Sequence, residues 1–315
     1  AILLFMSLAP DKDRGGRVSA PISLPQVRRL FSEPDRVARS QFLRREIAGR
    51  MFERLSLIKV HPSRVLDAGC GEGDDLKALS QIFPQSTWLG IDASPAMLEI
   101  ARHRSRQAGS GMNKLLRRLR SMTGTTGSPL LVCADFARLP LAASSVDLLW
   151  SNLALHWHPR PDEVIHEWAR VLRTEGLLMF SAFGPDTFTE LRTAYANIGL
   201  DVPVLNFVDL HDYGDMMIDA GFADPVMDME KLNITYSSAL DLLSDVRSFG
   251  GNPLAKRQSG LTGRGVKEAL VRALEQKKNA DGRISLSIEV VYGHAFRPLP
   301  VKARAGESII QFYRR

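Results

Sequence analysis

The chain of 315 residues contains only two cysteines, Cys70 and Cys133. Two thiols make no disulfide framework, and their spacing matches no zinc site. A reducing cytoplasm is therefore the expected compartment. No apolar run approaches the ~18 residues of a membrane-spanning helix. The apolar stretch over residues 1–5 is too short for a secretory core and has no basic flank before it. Met6 is read as the natural start, with five residues upstream of it. Aromatic residues make up only 7% of the chain, and acidic side chains are outnumbered 35 to 41 by Lys and Arg. The resulting charge of +6 favours acidic partners. A hydrophobic content of 44% with 24% charged residues excludes general disorder. Two nucleotide signatures are also missing. The spacing G-x-G-x-x-G does not occur in the first glycine loop, and no Lys-Ser/Thr pair follows it.

That loop is nevertheless the organising stretch. Val65 and Leu66 read as a short buried strand, which runs into Asp67 and then Gly69, Gly71 and Gly73 at every second position. Leu76, Leu79, Ile82 and Phe83 follow at helical spacing until Pro84. Strand, glycine turn and helix make a nucleotide-type binding unit, since glycine reaches φ > 0 and leaves a ligand room to approach. A second strand, Trp88-Leu89-Gly90-Ile91-Asp92, ends in an acid about 20 residues on, where a carboxylate can hold a ribose hydroxyl pair. Ser94 caps the next helix, with Pro95 at its first position.

The segment Asp67 to Gly73 together with Gly90-Ile91-Asp92 resembles the first two motifs of class I S-adenosylmethionine (SAM) methyltransferases. A sulfonium cofactor has no pyrophosphate to cradle, which agrees with the acidic Glu72, Asp74 and Asp75 beside the loop. The resemblance implies SAM as cofactor, with contacts from Asp67, Gly69, Cys70, Gly71, Gly73, Asp92, Ala93, Asp135, Phe136 and Asn152. In that family the acid at Asp135 accepts from the adenine amino group, and Asn152 faces the methionine part. From the residues alone, Asp135 serves equally as a turn cap, Asn152 as a strand-end turn residue, and Cys70 as a small filler or a reactive thiol.

The αβ rhythm continues. Leu130–Cys133 is a third strand, 146–150 a fourth and 177–180 a fifth, with a helix over 162–173 closed by Thr174-Glu175-Gly176. Repeated strand–helix units imply a Rossmann-like, mostly parallel sheet with helices on both faces and ligands at the carboxyl strand ends. Beyond Gly184, helices are expected over 186–198, 213–220, 237–249 and 262–277. Strands over 226–236 and Ile284–Phe296 would form the antiparallel hairpin that completes seven strands, with the helices as cap insertions. Residues 1–30 look loose, and one or two helices over 36–57 lead into the first strand. The expected organisation is one domain over 31–297, with its core at 60–184, its cap and last strands at 185–297, and a basic tail at 298–315.

Three residues are candidates for catalysis: His156, Trp157 and Arg192. His156-Trp157-His158 has no Cys, Asp or Glu at metal spacing, so no metal is expected. Arg192 either faces solvent or grips an acceptor carboxylate. Such an acceptor needs no general base, only alignment and exclusion of water. Residues 102–120 carry Arg102, Arg104, Arg106, Lys114, Arg117, Arg118 and Arg120 and no acid. The stretch reads as solvated surface or as a docking patch for an acidic acyl-carrier protein. Nucleic acid is disfavoured because aromatics are absent there.

Two narrower resemblances compete. The run Ser151-Asn152-Leu153-Ala154-Leu155-His156-Trp157 and the later Arg170-Val171-Leu172-Arg173-Thr174-Glu175-Gly176 are similar to the malonyl-acyl-carrier-protein O-methyltransferases of biotin synthesis. Residues 30–60 depart from the pattern of that family. Phe183-Gly184-Pro185-Asp186-Thr187-Phe188-Thr189-Glu190-Leu191-Arg192 and Ser248-Phe249-Gly250-Gly251-Asn252 resemble a mitochondrial complex I assembly factor of the same fold, an arginine hydroxylase. The intact cofactor motifs favour the methyltransferase, with hydroxylase, assembly protein and small-molecule methyltransferase as alternatives.

Overall fold

A computed structural model describes residues 22–107, 129–200, 205–249, 251, 253–254 and 264–299. The chain enters through helices α1 (Leu24–Leu30), α2 (Pro34–Ala38) and α3 (Gln41–Ser56). It then alternates β1 (Arg64–Ala68), α4 (Asp74–Ile82), β2 (Thr87–Asp92), α5 (Pro95–Gln107), β3 (Leu130–Cys133) and β4 (Val146–Asn152). A 3-10 turn at Leu155–Trp157 leads to α6 (Pro161–Val171) and β5 (Leu172–Phe183). Helices α7 (Thr189–Asn197) and α8 (Leu210–Asp219) precede β6 (Ala223–Tyr236), and α9 (Ala239–Ser248) and α10 (Arg264–Glu275) separate it from β7 (Ile284–Phe296).

The sheet has seven strands in the order β3-β2-β1-β4-β5-β7-β6. β1 lies between β2 and β4, with Val65 paired to Trp88 on one side and Leu148 on the other. The strand order reverses there, so a crevice opens at the carboxyl ends of β1 and β4. β3 to β5 run parallel, while β7 is antiparallel to both β5 and β6. The expected architecture and hairpin hold. β4 is buried along nearly its whole length because helices cover both faces. On α6, Val164, Ile165, Trp168 and Val171 form the buried stripe. Among the described residues no helix is long and apolar enough to cross a membrane.

The structure departs from the sequence-based expectations in four places. Residues 24–30 are not loose: α1 is tied down by Ser23 N–H donating to Pro253 O at 2.9 Å and by a bridge between Ile22 and Leu254. Thr174-Glu175-Gly176 does not cap α6. It belongs to β5, because Glu175 N–H donates to Arg297 O and Arg297 N–H to Gly176 O, and that long-range pairing overrides the local glycine signal. α7 begins at Thr189, since Phe188 at φ 64° forms a turn before it. Of the basic stretch, Arg102 pairs with Glu99, and Arg104 lies 2.7 Å from Glu72 and 2.8 Å from Asp74, so Arg104 serves the acidic loop and is no free docking cation. Lys114, Arg117, Arg118, Arg120 and the tail at 300–315 lie outside the described residues.

Candidate active site

The glycine loop is built by the end of β1 turning under β2. Gly69 and Cys70 N–H both donate to Ile91 O, at 2.7 and 3.0 Å. Gly69 (φ 83°), Gly71 (φ 50°) and Gly73 (φ 76°) all occupy the left-handed region. A Cβ on Gly69 would lie 2.3 Å from the Ala154 Cβ, so β1 and the segment after β4 approach as closely as they do only without it. A Cβ on Gly71 would meet nothing within 4 Å, since that position faces an opening. Gly73 caps α4 and lies behind the loop. Gly90 leaves room for Leu76, Leu131 and the Cys70 sulfur. Burial pushes the Cys70 thiol up, which suits a filler.

Asp92 closes the turn from below. Its Oδ2 accepts from Gly71 N–H at 2.9 Å and its Oδ1 from Ser94 N–H at 2.7 Å. Above it opens a narrow cleft of about 110 Å³. Gly69, Gly71, Asp92, Ala93, Phe136 and Asn152 line it. The other wall comes from Val27, Phe31 and Val37 of the entering helices, and from Trp157. An adjoining acidic recess contains Asp67, Cys70, Asp74 and Asp75. Asp135 lines neither space. It accepts from Ala137 N–H at 3.0 Å and lies 3.7 Å from Arg28, so here it is the turn cap that positions Phe136.

The recess is strongly anionic. Burial, reinforced by Asp75 and Asp92, holds the Asp67 carboxyl well above the usual range. Asp67 Oδ2 is buried with no hydrogen-bond partner among the described residues. Asp75 accepts from Trp150 Nε1 at 2.9 Å, and its pKa is raised to about 6, chiefly by burial. Arg104, Arg45 and Arg44 pair with Glu72 and Asp74, but Asp67 and Asp75 have no ion pair among the described residues, and a ligand bearing sulfonium and ammonium groups would supply a counter-charge. The orphaned Asp67 oxygen and the open face of Gly71 therefore fit SAM.

A pH dependence follows. A cationic ligand requires Asp75 ionised, so SAM affinity should be constant above pH 7 and fall by up to about tenfold per unit below pH 6. The free protein should show the opposite trend. A carboxyl whose folded pKa exceeds its unfolded value stabilises fully below about pH 4, and that contribution is lost as the pH rises through 6. Calorimetric titration between pH 5 and 8 measures the first effect; an affinity independent of pH would exclude ionised Asp75 from the site.

The three catalytic candidates are not brought together. Trp157 lines the cleft and meets the Phe31 ring edge-on at 5.5 Å. His156 is 2% exposed, and burial drives its pKa down to about 3, so it is neutral and no general base. Arg192 stands apart from the cleft. Its guanidinium donates to Leu205 O at 2.7 Å and Asn206 Oδ1 at 3.1 Å, tying it to the cap backbone. Arg44 of α3 is the cation that sequence reading missed. It lines both spaces, donates to Val37 O at 2.9 Å and approaches Glu72 at 4.0 Å. It was visible only as one of several arginines in an amphipathic helix.

The model of the methyltransferase domain family matches residues 66–180. The chain is 42% identical over 279 residues to the malonyl-[acyl-carrier protein] O-methyltransferase of Laribacter hongkongensis, covering 87% of this chain and 90% of that protein. It is 40% identical over 297 residues to the protein of the same name from a Methylovorus species, covering 92% and 95%. Among solved structures, the YcgJ protein of Bacillus subtilis superposes with a TM-score of 0.55 at 15% identity, covering 81% of this chain and all of that one. A putative methyltransferase of Bacillus halodurans gives 0.55 at 17% identity, covering 80% and 99%; both show the fold. With likeness extending across cofactor core and cap alike, the chain belongs to the malonyl-[acyl-carrier protein] O-methyltransferase family of SAM-dependent methyltransferases.

Proposed function

We propose that the chain transfers a methyl group from SAM to the free carboxylate of a malonyl group carried by acyl-carrier protein. The observation that supports this most is the reach of the likeness. The matched relatives share about 90% of their length with this chain, extending beyond the nucleotide-binding core into the segment that carries α7–α10. Likeness confined to the nucleotide-binding core would support methyl transfer alone.

Bound SAM supplies a methyl made electrophilic by the adjacent sulfonium. The chain's part is to bind, orient and exclude water. Asp92 would take the ribose hydroxyls, Phe136 would flank the adenine, and Arg44 would pair with the cofactor carboxylate. Asp67 and Asp75 hold the cationic end, and Phe31 with Trp157 shuts out solvent. A carboxylate oxygen forms its bond to the methyl carbon as the carbon–sulfur bond breaks, so no proton moves and neutral His156 presents no obstacle. The proposed carrier contact is Lys114 to Arg120, basic in sequence and suited to an acidic partner. Two free thiols and such a partner agree with a cytoplasmic setting.

Incubation with methyl-labelled SAM and malonyl-carrier protein should place label on the carrier as a base-labile ester, at a rate that falls with added salt. No transfer by a protein that binds SAM tightly would refute this acceptor. Oxygen added to a peptide arginine would favour the hydroxylase instead.

A further inference from the structure

We propose that His156 donates a hydrogen bond through Nε2–H to an oxygen of the carbonyl or carboxylate of the methyl acceptor, as a neutral positioning residue. This rests on the function proposed above. His156 sits on the 3-10 turn that follows β4, at the carboxyl end of the sheet; Leu153, Ala154 and Trp157 of the same segment line the cleft. Its ring is held among Phe183 at 4.5 Å, Trp157 at 4.8 Å and Phe207 at 5.6 Å.

The hydrogen bonding decides the tautomer. Phe183 N–H points at Nδ1 from 3.3 Å, so Nδ1 is the acceptor and the proton resides on Nε2. Nε2 is buried and has no partner among the described residues. Orphaned buried donors are rare in native proteins, because the group loses its water and gains nothing in return. The rings packed against it, Trp157, Phe183 and Phe207, offer no acceptor. The missing acceptor is therefore expected to arrive with a ligand.

The chemistry suits this nucleophile. A cationic anchor would pair with the attacking carboxylate and blunt it. A neutral N–H fixes one oxygen and leaves the charge on the other. Phe207 closes over the ring edge from the cap segment whose backbone Arg192 holds, so the acceptor must share or displace that contact.

His156→Phe removes the donor and keeps an aromatic ring; His156→Gln restores a neutral N–H. With malonyl-carrier protein, the Phe variant should lose about 10- to 100-fold in kcat/KM at unchanged SAM affinity, with a lowered melting temperature because Phe183 N–H loses its acceptor. Gln should recover most of that loss. At saturating SAM, where the Asp75 effect on cofactor affinity is suppressed, the pH profile of wild type should show no limb near pH 6 to 7 from His156. Full activity in the Phe variant would overturn the proposal, as would a well-folded Gln variant no better than Phe. Wild type inert toward malonyl-carrier protein would instead refute the proposed function. The His156 assignment would then be decided by nitrogen NMR of the free protein, where an Nδ1–H tautomer or an imidazolium at pH 7 overturns it.

Discussion

Asp92→Ala should weaken SAM binding by about 2–3 kcal/mol, roughly 30- to 150-fold, through loss of a charge-assisted bidentate contact. The structure adds a second cost. The same carboxylate accepts from Gly71 and Ser94 N–H, so its removal also unclamps the glycine loop and the start of α5. Asp92→Asn separates the two effects. An amide still offers one oxygen to the loop but no charge to the ribose, so its affinity should fall between wild type and alanine. Titration calorimetry at pH 7.5 reads this directly, with the melting temperature as a check on folding. Wild-type affinity in the alanine variant would remove Asp92 from the cofactor site.

Gly69→Ala should be at least as damaging for a different reason. The added methyl would sit 2.3 Å from the Ala154 Cβ, far inside contact distance, on a backbone at φ 83°. Either the turn or the segment after β4 must shift, and both line the cleft. Left-handed strain costs about 1–2 kcal/mol, and overpacking adds about 1–3. SAM binding should fall at least tenfold beyond the loss of stability. Ala154→Gly in the same chain removes the collision but not the strain, so the double variant should recover part of the loss. Strictly additive effects of the two substitutions would mean that the contact does not couple them.

Much of this architecture was legible before any coordinates. β7 was expected over Ile284–Phe296 and is found there, buried on both faces along most of its length because it lies inside the sheet. The ring of acids and Asn152 at strand ends followed from the αβ rhythm. The first helix was not legible. Residues 24–30 are short and bracketed by prolines, and α1 persists through contacts with Pro253 and Leu254, more than two hundred residues away. Nor was the first part of β5, where pairing with Arg297 defeats a glycine stop signal. Arg104 and Arg192 looked like free cations because their partners, Glu72 and the carbonyl of Leu205, are remote in sequence or in backbone. Side chains that choose distant partners leave no local trace.

The strand order carries a consequence for synthesis. β7 lies inside the sheet, between β5 and β6, yet it follows both in the chain. When β5 has left the ribosome, about 100 residues must still be added before its neighbour is complete. At translation rates of ~5–20 residues per second that gap lasts roughly 5–20 s. Throughout it, β5 presents an apolar, unpaired edge (Leu177, Leu178, Met179 and Phe180 are all buried in the finished protein), the kind of template that recruits foreign strands. Nascent chains arrested before residue 284 should therefore depend on chaperones far more than the full chain does, and substitutions that weaken β7 should appear first as inclusion bodies and only then as lost catalysis.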